Sequence, residues 1–246
     1  MEATFDTARR LKQIVDGVKP IVADVNLYCD ADGLSFQAMD ASHVSLCSVR
    51  LCAEAMSSYV CARPVVLGLP LGNLSKLLSA VGPDDRLTLS ATGTDVLRVH
   101  AVASSGEARF ELNLMDIDSE RLAVPLVSCD SRAVTMPSVS FKKTIADVAM
   151  FGDVCRIAIG PSGACFSGTG DFGSGTIRHR ASEAVVVSAS DEAALSFGTR
   201  YLELFARCGV VASAVRLVMQ DGQPLRVVWS APFGSVEFCL APQNEP

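Results

Sequence analysis

The chain has 246 residues, 49% of them hydrophobic, and a formal net charge of −6 at pH 7. That length accommodates one large or two medium domains with a buried core. The charge excludes a protein that is basic all over, so any nucleic-acid role requires positive charge gathered on one surface. No stretch approaches the roughly 20 apolar residues that cross a bilayer. The start, Met1-Glu2-Ala3-Thr4-Phe5-Asp6, lacks the basic-then-apolar order of a signal peptide. A soluble, intracellular chain with no membrane partner is expected.

In chain order, residues 7–19 read as a helix, with Leu11, Ile14, Val15 and Val18 at helical spacing, Gly17 weakening it and Pro20 ending it. Residues 21–29 and 34–37 alternate as strands around Asp30-Ala31-Asp32-Gly33, a hairpin signature. Residues 43–51 and 65–69 are further strands, and 72–81 is a short helix on Leu74, Leu77 and Leu78, followed by Gly82-Pro83. Strands over 86–90, 96–102 and 108–115 complete the first half.

The second half repeats this order. A shift of about 130 positions places Leu11 on Phe141, Val15 on Ile145, Val18 on Val148, Leu27 on Ile157, Gly33 on Gly163 and Phe36 on Phe166. A slightly smaller shift places Leu74, Leu77 and Leu78 on Tyr201, Leu204 and Phe205. Glycines and apolar positions agree while surface residues diverge, the mark of a duplicated fold. Each half therefore holds two short helices among about eight or nine strands, an α+β unit with helices on one face of antiparallel sheet. Between the halves, Asp116, Asp118 and Glu120 lead into Leu122-Ala123-Val124, stopped by Pro125. A solvated linker has no need of such an apolar tip, so this segment reads as a connector that displays a small apolar surface.

No catalytic constellation emerges. His43, His100 and His179 lie on separate predicted strands with no metal spacing, and Asp116 with Asp118 lack the further ligands a cation needs. Gly168-Thr169-Gly170 and Ser174-Gly175 are not followed by Gly-Lys-Ser/Thr and read as lying between strands. Asp40, His43 and Ser42 or Ser45 have no order as nucleophile, base and orienter. The nine cysteines (29, 47, 52, 61, 129, 155, 165, 208 and 239) are odd in number and contain no Cys-x-x-Cys, so they read as small hydrophobes of a reducing compartment. No metal and no cofactor is expected. What stands out is basic residues on all four helices of an acidic chain: Arg9, Lys12, Lys19, Lys76, Lys142, Lys143, Arg200 and Arg207. A solvated polar face is the plain reading; segregation of charge for a polyanion is the sharper one.

Four separated stretches carry a resemblance. Leu114-Met115-Asp116-Ile117-Asp118 with Leu122-Ala123-Val124-Pro125 resembles the domain connector of the proliferating cell nuclear antigen family, the eukaryotic sliding clamps. Met39-Asp40-Ala41-Ser42-His43-Val44-Ser45-Leu46, the terminal Leu240-Ala241-Pro242, and Cys61-x-Arg63 running to Leu74-Ser75-Lys76-Leu77-Leu78 follow in family order. The resemblance implies clamp domains at 1–116 and 133–246 with a connector over 117–132. It implies a homotrimeric, non-enzymatic ring in the nucleus that encircles double-stranded DNA, is placed by a clamp loader and serves as polymerase processivity factor in replication and repair.

The resemblance assigns Lys12, Lys19, Lys76, Lys143, Arg200 and Arg207 to the DNA channel, with Ser79, Ala146 and Met150 uncharged where the family is usually basic. It assigns Met39, His43, Val44, Leu46, Leu122, Val124, Pro125, Pro224, Cys239, Ala241 and Pro242 to a groove for short clamp-binding peptides of polymerases and other proteins. Cys239 stands where tyrosine is frequent, and Pro161 where a modifiable lysine is frequent, so regulation by ubiquitin-like modifiers is not carried over. Phe110, Gly175 and Ile177 are implied at the subunit interface. The alternatives are a subunit of a heterotrimeric, checkpoint-type clamp and, from another class, a small-molecule enzyme on a duplicated α+β scaffold.

Overall fold

The computed structural model describes residues 1–118 and 132–243. The first half runs β1 (Glu2–Phe5), α1 (Arg9–Val18), β2 (Asp24–Asp30), β3 (Gly33–Met39), β4 (Ser45–Cys52), β5 (Ser58–Val60), β6 (Val65–Pro70), α2 (Leu71–Ser79), β7 (Arg86–Ser90), β8 (Val96–Ala103) and β9 (Gly106–Asn113). The second half has the same order: β10 (Arg132–Pro137), α3 (Ser138–Ala149), β11 (Val154–Gly160), β12 (Gly163–Gly170), β13 (Gly173–Arg180), β14 (Val186–Ser188), β15 (Ala193–Gly198), α4 (Thr199–Ala206), β16 (Ala214–Met219), β17 (Leu225–Ala231) and β18 (Gly234–Leu240). The duplicated α+β plan expected from the repeat is present element for element.

The chain forms two compact units. The first gathers residues 1–41, 47–118 and 231–236. In it a five-stranded antiparallel sheet runs β5-β1-β7-β8-β9, and β2 pairs with β3 on one side and β6 on the other. Helix α1 buries Leu11, Ile14, Val15 and Val18, the stripe the spacing predicts; it starts at Arg9, next to Ala8, whose N–H donates to the Asp85 carbonyl at 2.8 Å. Leu27, Leu34, Phe36, Leu69, Leu71 and Leu74 complete a largely aliphatic core. Cys52 N–H donates to the Phe233 carbonyl at 2.9 Å, which ties residues 231–236 into this unit.

The second unit gathers residues 42–46, 132–230 and 237–243. One sheet runs β13-β12-β11-β15, and β10 is flanked by β14 and β16, with β17 beyond. Its core is aromatic: Phe141, Phe166, Phe197, Phe205, Trp229 and Phe238 are all fully buried. The Trp229 indole N–H donates to Ser138 Oγ at 3.1 Å, and Ser138 donates in turn to the Ala212 carbonyl at 2.6 Å. Here Ala241 N–H donates to the Val44 carbonyl at 3.0 Å.

Three sequence expectations change. Strands β1, β5 and β14 were not expected, being three or four residues long with little room for alternation to register. Gly168, Gly170 and Gly175 lie within β12 and β13 rather than between strands. Glycine is used there because neighbours approach closely: a Cβ on Gly170 would stand 1.7 Å from the Phe151 carbonyl, and one on Gly175 2.2 Å from the Phe151 ring. Finally, α2 and α4 align with Leu71 on Thr199, so buried Leu74 matches buried Leu202 rather than Tyr201. The apolar run Tyr-Leu-x-Leu-Phe slides by one residue without losing its pattern.

Candidate nucleic-acid interface and partner surface

In the first unit, α1 and α2 lie side by side, linked by Lys19, whose Nζ donates to Asp16 Oδ1 at 2.8 Å and to Ser75 Oγ at 2.7 Å. Burial alone would raise the Asp16 carboxyl; bonds from Lys19 and Ser75 outweigh that and hold it below the ordinary carboxylate range. Lys12 Nζ donates to the Val81 carbonyl, and Arg9 pairs with Asp84 at 2.6 Å. Lys76 is exposed in the last turn of α2, where a cation also suits the helix dipole.

The second unit exposes Lys142 and Lys143 on α3, Arg200 in the first turn of α4 and Arg207 just past its end. Lys143 pairs with Asp147 one turn on. The six residues expected to face DNA therefore divide. Lys76, Arg200 and Arg207 have no carboxylate partner among the described residues, whereas Lys12, Lys19 and Lys143 are engaged locally. Engagement of that kind at an exposed site is weak, worth about 0–1 kcal/mol, and yields readily to a phosphate.

The expected groove residues can be placed in part. In the second unit the Ala241–Val44 hydrogen bond brings the chain's end beside Val44 and Leu46, both half-buried. His43 is exposed at φ 57°, the one non-glycine residue with positive φ among those described. Pro224 and Ala241 are half-buried and Pro242 is exposed. Cys239, expected to stand at the groove wall, is 6% exposed; burial pushes its thiol up to about 12, so it is a protonated small hydrophobe beneath the surface. Met39 is half-buried in the first unit. Leu122, Val124 and Pro125 lie outside the described residues.

Both expected interface strands end their sheets: β9 carries half-buried Phe110, and β13 carries half-buried Gly175 and Ile177. Each offers a row of backbone groups with no ladder partner on one side. Among the described residues no three or more metal-ligating side chains come together, and no helix is long and apolar enough to cross a membrane.

Two features escaped the sequence. Arg10 lies 4.4 Å over the Phe233 ring, a cation–π contact across the length of the chain. Arg132, 9% exposed, donates from Nε and Nη2 to Asp191 at 2.9 and 2.7 Å and reaches Asp221 from Nη1 at 2.9 Å. These bonds hold the Asp191 carboxyl below its ordinary range. Neither has a spacing signal, because the partners are distant in sequence.

The family model "Proliferating cell nuclear antigen, N-terminal domain" matches residues 1–121, and "Proliferating cell nuclear antigen, C-terminal domain" matches residues 128–244. Proliferating cell nuclear antigen of Chaetomium thermophilum is 34% identical over 254 residues, covering 99% of this chain and 98% of that protein. Proliferating cell nuclear antigen 2 of Drosophila melanogaster is 32% identical over 253 residues, covering 100% and 99%.

Proposed function

From the premise that this chain belongs to the proliferating cell nuclear antigen family, and so is a DNA sliding clamp of replication and repair, we propose that three copies close a ring around duplex DNA in the nucleus. In this reading the clamp domains are 1–116 and 133–246, joined by a connector at 117–132. The ring is a processivity factor rather than an enzyme. A clamp loader places it on DNA, and polymerases and other proteins dock on it through short peptides.

One observation carries the assembly. Strands β9 and β13 end their sheets. Each leaves a row of backbone groups open, and joining β9 of one copy to β13 of the next would satisfy both rows. Head-to-tail contacts of this kind form a ring when the rotation closes.

The DNA role rests on physics that needs no sequence reading. Cations on exposed helices contact phosphates, which orient the duplex, carry no base information and release counterions, so binding weakens steeply with salt. An acidic chain that carries exposed cations on its helices keeps such contacts weak enough to slide. The peptide role rests on Val44, Leu46, Pro224 and Ala241 in the second unit, with Met39 in the first and Leu122, Val124 and Pro125 on the connector.

The test is native mass at micromolar concentration, where a homotrimer gives three times 25.9 kDa. Phe110→Ala should lower it toward one chain. A wild-type chain that stays monomeric would instead point to a heterotrimeric clamp. Reversing Lys76 and Lys143 to Glu should reduce retention on nicked circular DNA for any sequence, more so at low salt, with Lys76 giving the larger share because Lys143 is already paired with Asp147. Leu122→Ala with Val124→Ala should abolish polymerase stimulation while ring and retention survive.

A further inference from the structure

The four-stranded sheet of the second unit has one face on the core and one turned away from it. Cys155, Ile157, Ile159 and Phe166 are fully buried, so by alternation Ala158, Cys165 and Arg178 face outward. These three are direct cross-strand neighbours on β11, β12 and β13, and Gly160, Gly163 and Arg180 form the next row. Because the outward positions of β11 and β12 (Ala158, Gly160, Gly163 and Cys165) are small, this face is hollow, with a cavity of about 670 Å³ walled by Arg178, Arg180 and Glu192. Glu192 lies against Gly160, where a Cβ would come within 3.1 Å of its side chain.

The charge of this basin is unbalanced. Arg9, Arg86, Arg98, Arg109, Arg132 and Arg226 each have a carboxylate partner. Arg178 and Arg180 are exposed and have none among the described residues. They sit two residues apart on one face, about 7 Å by strand geometry, and guanidinium forks of that kind match carboxylates or phosphates. Binding of a nucleotide or a nucleic-acid strand would call for a ring on which bases stack. The one aromatic lining residue, His179, is engaged on the other side of the sheet by Thr144 Oγ1 at 2.7 Å and the Phe166 ring. Glu192 would also repel a continuous polyanion, whereas it can accept a hydrogen bond from a peptide N–H.

We propose that this basin binds an acidic peptide segment of a partner protein, with Arg178 and Arg180 holding its carboxylates and Glu192 accepting a backbone donor. The inference goes beyond the ring, the channel and the connector groove, since the residues it uses lie in the second unit, Arg178 and Arg180 on the outward sheet face and Glu192 just before β15. Edge pairing of β13 with β9 would engage its backbone and leave its outward face open to solvent, with exposed Glu107, Arg109 and Glu111 of β9 alongside.

Half-exposed Cys165 on the basin floor supplies the readout. Its alkylation rate is followed by mass spectrometry at low salt, with half-exposed Cys61 of the first unit as internal control. The probes are a Glu-Gly repeat decapeptide, its Gln-Gly counterpart and a ten-residue oligothymidylate. The Glu peptide should slow alkylation of Cys165 and not of Cys61, and the Gln peptide should do neither. Arg178→Gln with Arg180→Gln should weaken that protection about tenfold or more. Ala158→Trp, which fills the basin two strands in from the sheet edge, should abolish binding of the labelled Glu peptide with no change of charge. Lys76→Glu with Lys143→Glu should leave the protection unchanged. Undiminished binding in both basin variants would overturn the proposal, as would oligothymidylate protecting Cys165 in wild type but not in the double Gln variant. A monomeric native mass would sink the proposed ring and leave this readout standing.

Discussion

The two units have the same order of strands and helices, yet their cores are made of different material. The first packs Leu11, Ile14, Val15, Leu27, Leu34, Leu69, Leu71 and Leu74 around an apolar cavity of about 30 Å³, too poor in polar partners to hold a water. The second interlocks rings: Phe141 stands edge-on to Phe166 and Trp229, Trp229 edge-on to Phe238, and Phe238 is stacked on Phe205 at 4.3 Å. The in-and-out pattern, the glycines and the turns are therefore what the two halves share. Core identity has drifted freely, as cores do when volume and pattern are kept.

The largest expected effect breaks the aromatic cluster. Trp229 touches two rings and donates to Ser138, so Trp229→Ala leaves a large cavity and removes one of the two hydrogen bonds of that hydroxyl, and should destabilise the second unit by about 3–5 kcal/mol. In the first unit, Leu27→Ala merely enlarges an existing cavity among side chains that can close on it, and should cost about 2–3 kcal/mol, the lower part of the range for such truncations. Denaturant unfolding, with hydrogen exchange to assign each loss to its unit, makes the measurement. Equal losses would show that the aromatic core is no more interdependent than the aliphatic one.

A smaller effect tests what the halves share. Gly33 and Gly163 open equivalent strands at φ 134° and 141°, and a Cβ would meet the Leu51 carbonyl at 2.1 Å and the His179 carbonyl at 2.0 Å. Alanine at either position combines forbidden backbone with a clash, so each should lose about 1–3 kcal/mol, and by nearly the same amount. Gly106→Ala, at φ 155° with nothing within 4 Å, carries strain without a clash and should lose less. Thermal unfolding of the three variants orders them; a mild Gly163→Ala beside a severe Gly33→Ala would mean that the hairpins are not equivalent.

These contrasts also mark what the sequence could reveal. Glycines and apolar positions must satisfy local geometry in both copies, so they surface as a repeat, and with them the α+β plan and most strands. The unpaired cations on the helices were legible as charge segregation. The pairing of Lys19 with Ser75 and of Arg132 with two distant aspartates was not, since it depends on where side chains arrive. The burial of Cys239 agrees with the reading of the cysteines as small hydrophobes, whereas the neighbours that cover it were not legible. The basin over Cys165 was equally silent, because small residues on three strands make a hollow only when they fall in register.

The smallest expected effect is a dependence on pH that only one half should have. The residue whose carbonyl Gly33 approaches is Leu51, buried and apolar; at the matching place beside Gly163 stands His179. The imidazole is bonded through Nε2 to Thr144 Oγ1 and set edge-on to Phe166, and burial lowers its pKa from the ordinary value of about 6.5. A depressed histidine pKa means that the unfolded chain takes up the proton more readily than the folded one. The resulting stability is fully present above the unfolded pKa, and it is lost as pH falls through that value toward the lower folded one. Acidification from neutral to about pH 5.5 should therefore loosen β12 and β13 around His179 while the matching strands of the first unit stay unchanged. Asp191, held below its ordinary range by Arg132, titrates well below this window and does not confuse it. Hydrogen exchange across that pH range, corrected for its intrinsic rate, is the measurement. His179→Leu with Thr144→Val installs the first unit's chemistry without orphaning the buried hydroxyl, and should flatten the response. A pH slope that persists in the double variant would assign the acid sensitivity to another group and remove this difference between the halves.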